Sequence, residues 1–280
     1  KAETCKTRYH ANYPLFSFPK HIMVNENGVS YNANNECIPA NEIDEYLGHV
    51  SVTERELITK PSLDSGGGAG VRKFVWNTHA WVDSANNRLT ADLLSRLYNR
   101  DFVVQSCVSQ HAFLSQFNET SVNTIRVLTY RSVENDSIHI LHSLLRIGKK
   151  GSITDNQASG GISVGISDQG KLNGFAVDKY GNKFYDVNGV KLSSAIRVPQ
   201  FDAICLEALK LAKELRYSRL LGLDLTINEL GEIIVIEINN VSNEINFYQM
   251  NNGPLFGSFT DEVLEYCSTN LRSICIDYSL

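Results

Sequence analysis

The chain has 280 residues, 42% of them hydrophobic and 20% charged, with a net charge of −5. That length can bury a sizeable core in one large domain or two packed lobes, and the composition excludes fibrous and disordered classes. The acidic balance argues against a nucleic-acid partner, which wants a basic face, and no apolar run approaches the roughly 20 residues of a membrane span. Six scattered cysteines (Cys5, Cys37, Cys107, Cys205, Cys267, Cys275) form no CxxC pair. They read as reduced thiols of a cytoplasmic protein, no signal peptide is visible, and the start at Lys1 reads as a trimmed terminus.

Residues 1–50 are punctuated by Asn, Pro and Gly, with short apolar runs such as His21-Ile22-Met23-Val24, and read as a small, partly irregular lobe. From Glu56 the pattern sharpens. A strand over Leu57 to Lys60 ends at Pro61, and a loop from Ser62 to Gly70 leads to a second strand, Val71 to Trp76. Thr90 to Tyr98 has helical spacing with Thr90 as N-cap. Strands follow over Asp101 to Ser106, Val122 to Arg131 and Ile138 to Ile147. Phe201 to Leu215 reads as an amphipathic helix, Arg219 to Asn228 with Glu232 to Asn239 as a hairpin, and Thr260 to Arg272 as a final helix. The mixture predicts α+β layers, divided as 1–50, a small lobe over 51–108 and a large lobe over 109–280.

The most biased stretch is Lys60-Pro61-Ser62-Leu63-Asp64-Ser65-Gly66-Gly67-Gly68-Ala69-Gly70. Glycines let successive backbone N–H groups turn toward an anion, and a lysine on the preceding strand adds a point charge for a phosphate. The order is not the GxxxxGK[ST] of a P-loop, so a flexible hairpin tip is the competing reading.

In Gly222-Leu223-Asp224-Leu225-Thr226-Ile227 the acid interrupts an apolar alternation, and Glu237 and Asn239 share a face two residues apart. A two-residue turn at Leu230-Gly231 would set Asp224 opposite Glu237, whereas a bulged turn would shift the register by one. Facing carboxylates within apolar strands repel unless a cation sits between them, and oxygen-only donors suit Mg²⁺ or Mn²⁺. A solvated outer face is the alternative. Arg126 and Arg146 lie at apolar strand ends, where salt bridges are common and a phosphoryl group is the other candidate partner.

Taken in order, these segments resemble the ATP-grasp superfamily, closest to its sugar-transfer-associated branch related to α-L-glutamate ligases. The matching pieces are Lys60-Pro61 with the glycine loop, Val104-Gln105 leading to Gln110-His111, Ser121 to Arg126, Arg146-Ile147-Gly148, Asp155-Asn156 with Gly160-Gly161, Gly222-Leu223-Asp224, and Ile236 to Asn239. The resemblance implies two α+β lobes holding ATP between antiparallel sheets. It implies ATP contacts at Lys60, Ser65, Gly66, Gly67, Gly68 and Asp224, adenine held around Gln105, Ser106 and Val108, and a divalent metal at Asp224, Glu237 and Asn239. Arg126 and Arg146 would face the transferred phosphoryl group. His111, Asn123, Asp155, Asn156, Gly160 and Gly161 would lie near the acceptor.

This chain has Ser106 where many members have an acid, and Leu223 where Trp is frequent. The family's additional N-terminal ATP-contacting lysine has no clear match, since the neighbours of Lys20 do not support it. The implied activity is a carboxylate–amine ligase working through an acyl phosphate on small, sugar-linked substrates. A hydroxyl kinase and a nucleotide-binding module without turnover stand as alternatives, and the oligomeric state is not legible.

Overall fold

The computed structural model describes residues 4–63, 67–241 and 243–270. The chain opens with helix α1 (Tyr9–Asn12), then strands β1 (His21–Glu26), β2 (Val29–Asn32) and β3 (Cys37–Ile38) and helix α2 (Ile43–Val50). Next come β4 (Glu56–Pro61), β5 (Arg72–Trp76), β6 (Trp81–Val82), helix α3 (Ala91–Tyr98) and β7 (Phe102–Ser106). The seven strands form one antiparallel sheet in the order β3-β2-β1-β7-β4-β5-β6. Helix α3 starts where expected, because the Thr90 hydroxyl accepts the Leu93 N–H at 3.1 Å and satisfies one donor that the first turn leaves open.

The first fifty residues are not the separate irregular lobe expected. Strand β1 pairs with β7, so it is a central strand of this sheet, and Ile22 and Met23 join the core of Leu57, Phe74, Trp81, Leu94 and Val104. A strand buried on both faces loses the polar–apolar alternation that marks a half-exposed one, which hid it in the sequence. The segment before β1 goes the other way. Tyr9, Tyr13, Phe16 and Phe18 belong to the core of the second half of the chain. Each such buried side chain contributes about 1.5–3 kcal/mol, so residues 1–50 tie the two halves together.

The second half begins with α4 (Ala112–Ser115), β8 (Thr124–Arg131), β9 (Ile138–Ile147), β10 (Ile162–Ile166), β11 (Leu172–Val177) and β12 (Lys183–Phe184). A two-stranded ribbon of β13 (Asp186–Val187) and β14 (Val190–Lys191) precedes α5 (Phe201–Glu214), β15 (Leu220–Ile227) and β16 (Ile233–Asn239). Helices α6 (Asn246–Asn252) and α7 (Thr260–Thr269) close the described chain, so the last part of the helix expected to Arg272 lies outside the described residues. The second antiparallel sheet runs β12-β11-β10-β9-β8-β15-β16. Helix α5 buries Phe201, Ile204, Ala208 and Leu211 against one face of this sheet. Helix α6 packs on the strands β9, β10 and β11. Among the described residues no helix is long and apolar enough to cross a membrane, and the described cysteines are free.

Candidate active site

The acidic hairpin reaches the expected pairing by a different route. Asn228 and Glu232 bracket a three-residue loop, in which the Gly231 N–H donates to the Asn228 carbonyl at 3.0 Å with Gly231 at φ 82°. That loop sets Leu225 against Val235, one residue away from the register of a two-residue turn. Continued, it would put Asp224 opposite Ile236. A bulge between Asp224 and Leu225 absorbs the extra residue, so Asp224 faces Glu237 and Gly222 faces Asn239.

The counter-charge at these carboxylates comes from the protein itself. Arg126 is the register partner of Asp224 on β8 and donates from Nε to Oδ1 at 2.6 Å and from Nη2 to Oδ2. Arg146 Nη1 donates to the same Oδ2 at 3.0 Å, and Asn239 Nδ2 adds a bond at 3.3 Å. Burial works against ionisation of Asp224, but Arg126 and Arg146 outweigh it and hold the carboxyl below the usual range. The reciprocal pull of Asp224 overcomes burial at Arg126 and raises its pKa. Glu237 is paired with Lys6 at 2.8 Å.

The 155–156 loop supports Arg146 from behind. Arg146 Nη2 donates to Asn156 Oδ1 at 2.8 Å and lies 3.3 Å from Asp155 Oδ1, while Thr124 donates through both its backbone and hydroxyl to Asp155 Oδ2. Burial raises the Asp155 pKa despite Arg146, and the neighbouring Asp224 charge pushes in the same direction.

These groups line a cleft between the two sheets. One chamber is bounded by Lys60, Gln105, Ser106, Val108, Thr124, Asp224 and Glu237, the other by Arg126, Gln157, Ser163, Glu237, Asn239 and Phe247. Lys6, Arg146, Asn156 and Glu237 border both. The second chamber measures ≈ 390 Å³, within the range of small-ligand sites. Lys60 is buried at the cleft, and desolvation, reinforced by the nearby Lys6 charge, pushes its pKa down to about 8.

The glycine loop reaches across the cleft. Gly67 borders the second chamber and Gly68 the first. Gly68 has φ +74°, which favours glycine, and a Cβ there would sit 2.4 Å from Asn156 Nδ2 and displace that amide. Ser65 and Gly66 lie outside the described residues.

Several expected acceptor residues stand elsewhere. Asn123 is fully buried, donating from Nδ2 to the Leu114 and Asn118 carbonyls and accepting the Gly148 N–H; it braces loops rather than facing the cleft. His111 caps α4 by accepting the Phe113 N–H on Nδ1 at 3.1 Å. Gly160 and Gly161 do not border either chamber. A Cβ on Gly161 would meet the carbonyl oxygens of Asp155, Asn156 and Ile147 at 2.6–2.9 Å, so this glycine lets the loop carrying Asp155 and Asn156 fold tightly.

Lys6 carries no signal in the sequence, because its segment has no strand periodicity and its partner Glu237 lies near the other end of the chain. Lys20, the residue weighed for an N-terminal lysine role, instead pairs with Glu54 at the surface. Tyr248 is a second such residue: it is fully buried and its hydroxyl faces the Arg126–Asp224 pair. Nothing in Asn246-Phe247-Tyr248 signals that placement.

Two seven-stranded antiparallel sheets closing on a cleft that carries paired lysines, arginines and acids define an ATP-grasp protein. The chain belongs to the sugar-transfer associated ATP-grasp family, whose profile matches residues 5–263. No curated protein matches it in sequence. Among solved structures it is similar to D-cycloserine synthetase DcsG, at 13% identity and a TM-score of 0.51 over 94% of this chain and 70% of that one. It is also similar to the VanG D-Ala:D-Ser ligase from Enterococcus faecalis, at 14% identity and a TM-score of 0.50 over 94% of this chain, of which it spans 61% of the length. At these identities the likeness concerns the fold.

Proposed function

We propose that the protein is an ATP- and Mg²⁺-dependent carboxylate–amine ligase. The observation that carries this reading is the juxtaposition, across one cleft, of the Asp224–Glu237–Asn239 oxygens with Lys6, Lys60, Arg126 and Arg146. The solved ligases named above share the fold, and the family's association with sugar transfer supports a sugar-acid substrate, by analogy.

The donor set fits a hard divalent cation. Glu237 commits one oxygen to Lys6, Asn239 uses its amide nitrogen toward Asp224, and among the described residues Asp224 Oδ1 accepts from Arg126 alone, which leaves oxygen lone pairs for Mg²⁺ or Mn²⁺. Bound there, the metal would supply charge neutralisation for nucleotide phosphates. Lys6 and Lys60 offer point charges to the non-transferred phosphates, and the Gly67-Gly68 turn covers them. Arg126 and Arg146 stabilise the charge on the phosphoryl group as a substrate carboxylate oxygen attacks it and the bond to ADP breaks. The amine then displaces phosphate from the acyl phosphate to give an amide, losing one proton. Gln105, Ser106 and Val108 line the end of the cleft proposed for adenine.

A kinase reading uses the same ATP groups, and the engagement of both Asp224 oxygens by arginines favours a binding module as the second alternative. Incubation with ATP, Mg²⁺ and panels of carboxylates and amines separates them. The ligase reading expects ADP, phosphate and an amide product. A phosphorylated alcohol, or bound ATP without ADP, would replace it.

A further inference from the structure

Resting on the ligase reading above, we propose that Tyr248 is a positioning residue for Arg126, its hydroxyl steadying the guanidinium that meets the transferred phosphoryl group. The register of the second sheet places the two side by side. Leu144, Arg126, Asp224 and Glu237 form one row of paired positions across β9, β8, β15 and β16. His142, Leu128, Gly222 and Asn239 form a parallel row two residues along each strand, so both rows point their side chains to the same face.

Helix α6 lies on that second row. Phe247 and Tyr248 share a buried cluster with Leu128 and Leu144, and the His142 ring stands 6.1 Å from that of Tyr248. The missing side chain of Gly222 admits the helix: a Cβ there would come within 2.4 Å of Asn243 Oδ1 and 3.4 Å of the Tyr248 hydroxyl. The hydroxyl therefore stands over the face that carries Asp224, one row away, and reaches the Arg126 guanidinium. Phe247 flanks the same group, its ring centroid 5.9 Å from Arg126 Cζ, and borders the second chamber with it.

The chemistry of the contact suits orientation. Asp224 takes only part of the Arg126 donor fork, through Nε and Nη2. The remaining N–H groups need a fixed direction to meet a phosphoryl oxygen in the chamber. A phenol gives that direction without cancelling the charge, because burial raises its pKa and keeps it neutral. The helix that carries it is pinned. Asn251 Nδ2 donates to Ser163 Oγ at 2.9 Å, Asn252 Nδ2 to the Ser143 carbonyl at 3.1 Å, and Asn173 Nδ2 to the Asn251 carbonyl at 2.7 Å. These bonds tie α6 to β10, β9 and β11 in turn.

The test compares Tyr248→Phe, which keeps the ring, with Tyr130→Phe, which removes a hydroxyl bonded to Glu262 outside both chambers. The first readout needs no substrate. In protein labelled with ¹⁵N-arginine, the Arg126 guanidinium signals are those lost in Arg126→Lys. Tyr248→Phe should speed exchange of these protons with water roughly tenfold, the worth of one hydrogen bond. Tyr130→Phe should leave that exchange unchanged. The second readout is ADP release from Mg²⁺–ATP with the panels of carboxylates and amines. Tyr248→Phe should lower kcat roughly tenfold with KM for ATP unchanged, and should cost nothing further in the Arg126→Lys background. Unchanged proton exchange in Tyr248→Phe, or kcat losses that simply add in the double variant, would overturn the assignment. If the unaltered protein releases no ADP, the ligase reading falls, and the exchange rates alone decide whether Tyr248 holds Arg126.

Discussion

Arg126 and Asp224 face each other as register partners on adjacent central strands and are joined by two parallel hydrogen bonds, with Arg146 closing on the same carboxylate. The pair is buried, so it is held together by mutual need more than by net attraction. Asp224→Asn leaves two buried guanidinium groups short of their counter-charge. A loss of about 3–5 kcal/mol in stability is expected, the usual cost of breaking a buried pair, together with loss of metal-dependent ATP use. Chemical denaturation and an ADP assay check both. Because the Asp224 pKa is depressed on folding, its contribution is present at neutral pH and is lost as pH falls through the folded value.

Lys60 makes the opposite kind of prediction. Its pKa falls from 10.5 to about 8 on burial, so between those values the unfolded chain binds more protons and stability rises with pH. An anionic ligand favours the charged form. ATP binding just above that lower value should therefore take up a proton, and affinity should weaken as pH rises further. Calorimetry in two buffers of different ionisation heat reads the proton uptake directly from the difference in observed heat; identical observed heats in the two buffers would refute it.

Lys6 couples to this behaviour, since its charge is the second cause of the low Lys60 pKa. Lys6→Met should raise the pH midpoint of ATP binding and also free Glu237. Lys20→Gln, which breaks only a surface pair worth at most about 1 kcal/mol, should leave both midpoint and affinity unchanged. Equal behaviour of the two variants would remove Lys6 from the site.

Gly68→Ala separates binding from stability. The added methyl would overlap Asn156 Nδ2, and the positive φ resists a side chain, so either the Asn156 amide or the loop must shift. Weaker ATP binding with a nearly unchanged melting temperature is expected. Asn123→Ala should do the reverse: it strands several buried donors and acceptors, at about 1–3 kcal/mol for each group left unsatisfied, and should lower the melting temperature without a specific effect on KM.

These contrasts follow how much of the site can be read from the chain. Asp224, Glu237 and Asn239 were legible because an acid in an apolar strand breaks a period-two pattern, and period two is local. Their facing arrangement was reached through a loop and a bulge whose one-residue shifts cancel, which no pattern in the hairpin reports. Lys6 was illegible because its meaning is a contact with Glu237, made by an irregular segment that packs into the far core. Strand β1 was missed for the converse reason: burial on both faces erases the alternation. Asn123 and His111 were placed at the acceptor by motif position, whereas their side chains are consumed by backbone groups beside them.

The most direct test of the metal–ATP assignment is titration of ATP with and without Mg²⁺ into the unaltered protein and into Glu237→Gln, which keeps size and removes charge. The account predicts that Mg²⁺ tightens ATP binding in the unaltered protein and that Glu237→Gln abolishes this increment while retaining metal-free binding. An undiminished Mg²⁺ increment in the variant would contradict it.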